Sequence, residues 1–167
     1  LLVTGGPGVG KSSLVREVHP AITERRGIFA EGKFDQFQRT LPYSALTQAL
    51  TTLVDVILGE HGDAFERWRV RIASTLGDLG QVMVDLVPAL ERIIGPQVEA
   101  PPLDGHAALN RMRYLFARLI GSLVDTEHPL CLFIDDLQWA DGASLDLIAS
   151  LLVNAEVSGL LVVGAVA

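Results

Sequence analysis

Residues 5–12 read GGPGVGKS and residues 130–141 read LCLFIDDLQWAD. The first stretch fits the spacing G-x-x-x-x-G-K-[ST], opened by Gly5 and closed by Gly10, Lys11 and Ser12. Every residue type in it has a use if the ligand is a phosphate chain. Gly5, Gly6, Gly8 and Gly10 allow positive φ angles and a close approach of backbone to ligand. The amides of the loop, which also contains Pro7 and Val9, can then converge on phosphate oxygens. Lys11 supplies a cation for the β- and γ-phosphates, the Ser12 hydroxyl suits Mg²⁺, and Ser13 completes the binding stretch. A helix starting near Lys11 directs the positive end of its dipole at the same anion. A structural glycine turn is the alternative, but it has no need of the lysine. The chain has only two lysines, Lys11 and Lys33.

The second stretch is an apolar run ending in Asp135 and Asp136. Charge is costly inside a sheet, so both acids belong at its C-terminal edge, where α/β proteins bind ligands. Beside a phosphate loop this is a Walker B pattern. Asp135 would hold Mg²⁺ through a water, and Asp136 would orient or polarise an attacking water. Adjacent strand residues point to opposite faces, so the chain must turn after Asp135 for both to face a nucleotide. Taken alone, the pair also reads as a strand end followed by a helix-capping acid. No Asn-Lys-x-Asp guanine signature occurs, which favours ATP over GTP.

These residues need a sheet edge and a helix to hold them. Leu1 to Thr4 reads as a buried parallel strand before the loop. Leu14, Val15, Val18 and Ile22 follow at helical spacing, with the first helix reaching about His19 and Pro20 bending or restarting it. Gly27 is the expected helix stop, and Ile28 to about Gly32 a second strand. Pro42 suits the start of a helix over 43–58 with Leu46, Leu50, Leu53 and Ile57 inward. Phe65, Trp68, Ile72 and Leu76 make a second stripe; Val82, Met83, Leu86, Leu90, Ile93 and Ile94 a third, broken at Pro88. Asp104 is a candidate N-cap for a helix with Leu109, Met112, Phe116, Leu119 and Leu123 inward and Arg111 and Arg118 opposite. A strand over 130–134 leads to Asp141, the expected N-cap of a helix over 142–155 with Leu145, Ile148, Leu151 and Leu152 inward. Leu160 to Ala167 is the last strand. Apolar strands alternating with helices predict an α/β sandwich on a parallel sheet.

The 167 residues suffice for one domain, and 49% hydrophobic with 20% charged is a globular composition. A net charge of −7 argues against a general nucleic-acid surface, and Arg67, Arg69 and Arg71 read as a solvated helix side. The single cysteine, Cys131, reads as a buried core thiol. No run has the length of a membrane helix and no signal peptide stands at the start, so a cytoplasmic protein is expected. The four histidines share no ligand spacing. Without an initiating Met, and with a strand at either end, the chain reads as one partial domain, residues 1–167, truncated at both ends.

Four stretches, GGPGVGKSSLVREVHPAITERRG, GKFDQFQRTLPYSAL, LCLFIDDLQWADGASLDLI and LLVVGAVA, resemble the AAA-type ATPase domain of STAND signalling proteins. The likeness covers nearly the whole chain. It is greatest to the ATPase module of large bacterial proteins joining a serine/threonine kinase, this module, a GAF domain and a histidine kinase. The resemblance implies a P-loop NTPase three-layer sandwich of the additional-strand type, order 5-1-4-3-2 with strand 5 missing, and a helical insertion over about 43–95. It implies Walker A at Lys11 and Ser12, Walker B at Asp135 and Asp136, and a nucleotide-dependent switch. Asp136 stands where many AAA-type ATPases carry Glu.

The expected function is Mg·ATP binding with slow hydrolysis, as a regulatory switch inside a longer signalling chain. The domains adjoining it would be its partners, with self-association possible at the open sheet edge. A turnover ATPase or phosphotransferase is the second reading, although no acceptor pocket or lid is legible. A non-hydrolysing scaffold is the third. Lys33, Asp35, Gln36 and Arg39 read first as a polar surface loop, with contact to nucleotide or a neighbouring domain as the alternative. Trp139 is expected to pack on the last helix.

Overall fold

A computed structural model describes every residue except 38–40, 125–127 and 155–156. The expectation for Arg39, and for a last helix reaching Ala155, lies outside the described residues. The chain forms two compact units, Leu1–Leu50 with Val124–Ala167, and Thr51–Leu123.

The first unit holds a sheet of strands β1 (Leu2–Thr4), β2 (Ile28–Lys33), β3 (Leu130–Asp135) and β4 (Leu160–Val166). Their order is β1-β4-β3-β2 and every pairing is parallel. This matches the expected 1-4-3-2, with β4 between the strand before the glycine loop and the strand bearing the acid pair. All six residues of β3 are buried. A strand covered on both faces must be apolar throughout, which is why it reads LCLFI before its acid.

One face of the sheet carries α1 (Lys11–Arg16) and α2 (His19–Glu24). Val15 and Ile22 pack there with Cys131, Phe133, Val163 and Ala165. Leu14, expected inward, is 64% exposed. The first helix ends at Arg16 rather than His19, and Pro20 falls in the first turn of α2, where its missing amide costs nothing. Arg26, not Gly27, takes the left-handed turn after α2, at φ 55°. Gly27 is needed for clearance instead, since a Cβ there would meet the Pro129 carbonyl.

On the other face lies α8 (Gly142–Val153), with Leu147, Ile148 and Leu151 buried. Leu145 and Leu152, expected inward, are 46% and 61% exposed. The helix is apolar on most sides, so periodicity alone could not choose its buried face. Asp141 caps it as expected, accepting from the Ser144 amide at 2.8 Å. Helix α3 (Ser44–Leu58) begins in this unit and continues into the second. It follows Tyr43, which is buried in a left-handed conformation at φ 64° with its amide donating to Ser144 Oγ at 3.0 Å.

The second unit is helical: the end of α3, then α4 (Asp63–Leu76), α5 (Gly80–Leu86), α6 (Glu91–Ile94) and α7 (Gly105–Leu123). Helix α4 packs on α7 and α6. Pro88 breaks the run as expected, and Val87 before it is extended at φ −130°, ψ 86°. Ile72, Leu76, Met83, Leu90, Ile93, Phe116 and Leu119 are buried. Arg118 is exposed as expected, but Arg111 is half-buried, its guanidinium donating to the Pro101 carbonyl. No helix among the described residues is long and apolar enough to cross a membrane.

Candidate functional site

The C-terminal ends of β1, β3 and β2 bring the two sequence motifs together. The glycine loop leaves β1, and the Gly5 amide donates to the Val166 carbonyl at 3.3 Å, tying its start to β4. Gly8 and Gly10 take φ angles of 77° and 92°. Gly5 and Gly6 do not, contrary to expectation. At Gly5 the constraint is closeness, because a Cβ would sit 3.0 Å from Val9 Cγ2.

Lys11 Nζ lies inside the loop, donating to the carbonyls of Gly5 at 2.7 Å and Gly6 at 3.0 Å. Ser12 Oγ donates to Asp135 Oδ2 at 2.7 Å, across 123 residues of sequence. Asp135 is 7% exposed, so this bond satisfies a carboxylate in a place where an unpaired one would be costly. Its other oxygen accepts from the Asp136 amide at 2.9 Å.

The required turn falls at Asp136, whose φ 55°, ψ 44° is left-handed, a region Asp tolerates better than most residues. A single helical turn, Leu137–Trp139, follows. The turn directs both carboxylates to one cavity of about 380 Å³, lined by Pro7, Gly8, Gly10, Lys11, Ser12, Ser13, Lys33, Asp135, Asp136 and Ala167. Every residue expected at the site except Gly5, Gly6 and Val9 lines it.

Lys33 overturns the surface-loop expectation. It ends β2, in register with Asp135 on β3, and its ammonium lies 3.0 Å from Asp136 Oδ2. Gln138 Nε2 donates to the other oxygen of Asp136 at 3.0 Å. Burial pushes the Asp136 carboxyl up. The hydrogen bonds from Lys33 and Gln138, with the charges of Lys33 and Lys11, outweigh it and hold the group below the usual carboxylate range. The hydrogen bond and charge of Asp136 in turn raise Lys33. What brings Lys33 to the site is register, Lys33 pairing with Asp135 at the ends of parallel strands, which no spacing in the sequence displays. Gln138 carried no sequence signal either.

Beside this cavity lies a larger cleft of about 500 Å³, lined by Phe34, Asp35, Gln36, Gln48 and Trp139 and sharing Lys33 and Asp136. It lacks the glycine loop. Trp139 is half-buried and faces this cleft.

The donor set at Ser12 and Asp135, a hydroxyl and a carboxylate in contact, consists of hard oxygens and fits Mg²⁺. No group of three or more metal-ligating side chains occurs among the described residues. Mg²⁺ bound together with phosphates needs only one or two carboxylates.

The family model of the AAA ATPase domain matches residues 1–163. The chain is 36% identical over 153 residues to hybrid signal transduction histidine kinase G of Dictyostelium discoideum. That stretch covers 91% of this chain but only 4% of the relative, so the chain spans a small part of that protein's length. No solved structure matches it. With the glycine loop, Lys11, Ser12 and the acid pair converging on one cavity of a parallel sheet, the chain belongs to the AAA ATPase domain family.

Proposed function

We propose that the domain binds Mg·ATP and hydrolyses it slowly, acting as a nucleotide switch within a longer signalling protein. The observation that carries this reading is the Ser12–Asp135 hydrogen bond of 2.7 Å, which joins the end of a phosphate-type loop to the acid of a strand one removed from β1, across β4. In this reading residues 5–13 are Walker A, Asp135 and Asp136 are Walker B, and residues 1–167 belong to one P-loop domain with a helical insertion over about 43–95.

The loop amides and Lys11 would bind the phosphates, with Lys11 leaving the Gly5 and Gly6 carbonyls to do so. Ser12 and Asp135 would hold Mg²⁺, which when bound supplies positive charge to the β- and γ-phosphates. Asp136 would accept a hydrogen bond from water and aim it in line with the γ-phosphorus. An aspartate is ionised at neutral pH, as this role requires. A switch of this kind works where Mg·ATP is plentiful, in the cytoplasm. Its γ-phosphate would hold one arrangement of the adjoining domains and hydrolysis would release it. The signalling context is drawn from the hybrid histidine kinase named above. Kinase, GAF or histidine kinase neighbours belong to the proposal.

Single-turnover hydrolysis of γ-labelled ATP tests it. Asp136→Asn should keep Mg·ATP binding and lose about 100-fold or more in hydrolysis, the scale of a lost general base. Hydrolysis at the parent rate would remove Asp136 from the mechanism.

A further inference from the structure

Resting on the Mg·ATP reading, we infer that Lys33 is the residue by which this site distinguishes ATP from ADP: its ammonium binds the terminal phosphate in exchange for Asp136.

The chain contains two lysines, and both line the same cavity, from different elements. Lys11 stands on the loop and α1, while Lys33 stands at the end of β2. Each rests on protein oxygens: Lys11 on two loop carbonyls, Lys33 on a carboxylate oxygen of Asp136. The two positions are not equivalent. Asp136 is the acid that faces the attacking water, so it sits at the terminal phosphate. A cation 3.0 Å from Asp136 is therefore at that end of the phosphate chain.

The backbone beneath Lys33 is fixed. As the edge strand of the sheet, β2 leaves its outer N–H and C=O without a strand partner. Gln48 takes both: its Oε1 accepts from the Lys33 amide at 3.0 Å and its Nε2 donates to the Lys33 carbonyl at 3.2 Å. Only the side chain need move. That side chain is 60% exposed, and an ion pair so open to water contributes little. A phosphate oxygen offers the same ammonium a denser negative charge and a charge-assisted hydrogen bond. The exchange goes to whichever nucleotide carries the third phosphate. It also leaves Asp136 free to hold water, which couples recognition of ATP to readiness for hydrolysis.

Calorimetric titration of the 167-residue chain with Mg·ATP and Mg·ADP tests the inference. Lys33→Met should weaken Mg·ATP about 10-fold, the lower end for losing a charge-assisted hydrogen bond, and leave Mg·ADP within about 2-fold. Lys33→Arg should keep most of the preference. Losing Lys33 also leaves the Asp136 charge unopposed beside the phosphate, so the double variant Lys33→Met/Asp136→Asn is needed. If contact is direct, the ATP preference stays lost in the double variant. A preference restored there, or unchanged in Lys33→Met while Lys11→Ala abolishes binding, overturns the inference and leaves the nucleotide site standing. No binding of either nucleotide by the parent chain overturns both.

Discussion

At the scale of single residues, the site is a set of charges holding one another in place. Burial pushes the Asp136 carboxyl up, and Lys33, Gln138 and Lys11 together hold it below the usual carboxylate range. A carboxyl depressed in the folded state contributes stability that is present above its ordinary pKa and is lost as pH falls through the depressed value. The Lys33–Asp136 link should therefore survive mild acid and open only below the usual carboxylate range. An NMR titration of the Asp136 carboxyl should give a midpoint below that of an exposed Asp, moving upward in Lys33→Met. A midpoint that does not respond to Lys33→Met would mean that the ion pair is not formed in solution. Legibility in the sequence ran unevenly at this scale. The loop and the acid pair were readable because their residue types and spacing form contiguous patterns along the chain. Lys33 and Gln138 were not, because their roles come from where strand β2 ends and where the chain turns, and neither is a spacing.

At the scale of elements, the site depends on parallel strands ending together. Register places Lys33 opposite Asp135, and β2 holds that register against the start of α3. Gly32 is buried there, and a Cβ on it would run into the Ala45 backbone carbonyl. Gly32→Ala should therefore destabilise the fold by about 1–3 kcal/mol, the range for overpacking a close contact. Chemical denaturation checks this; an unchanged midpoint would show that α3 can withdraw from the strand at no cost. The helix stripes in the sequence located the elements well but sometimes chose the wrong face. Leu145 and Leu152 sit in a helix with apolar residues on several sides, so burial was decided by the sheet beneath them. Pro88, Asp141 and Pro20 acted as expected, since caps and breaks are local backbone chemistry.

At the scale of the whole molecule, the strand order β1-β4-β3-β2 is what makes two motifs 123 residues apart into one site. The parallel sheet was legible from apolar strands alternating with helices, whereas the order of its strands was implied only by the family resemblance. The left-handed turn at Asp136 completed the convergence, and it was foreseen only as a requirement. The central claim is that this convergence binds Mg·ATP through Lys11. Isothermal titration of the chain with Mg·ATP and Mg·GTP, repeated with Lys11→Ala, tests it most directly. The expected result is micromolar binding of Mg·ATP, about −8 kcal/mol, with Mg·GTP much weaker and binding lost in Lys11→Ala. Equal binding by Lys11→Ala, or none by a parent chain that unfolds cooperatively, would contradict it.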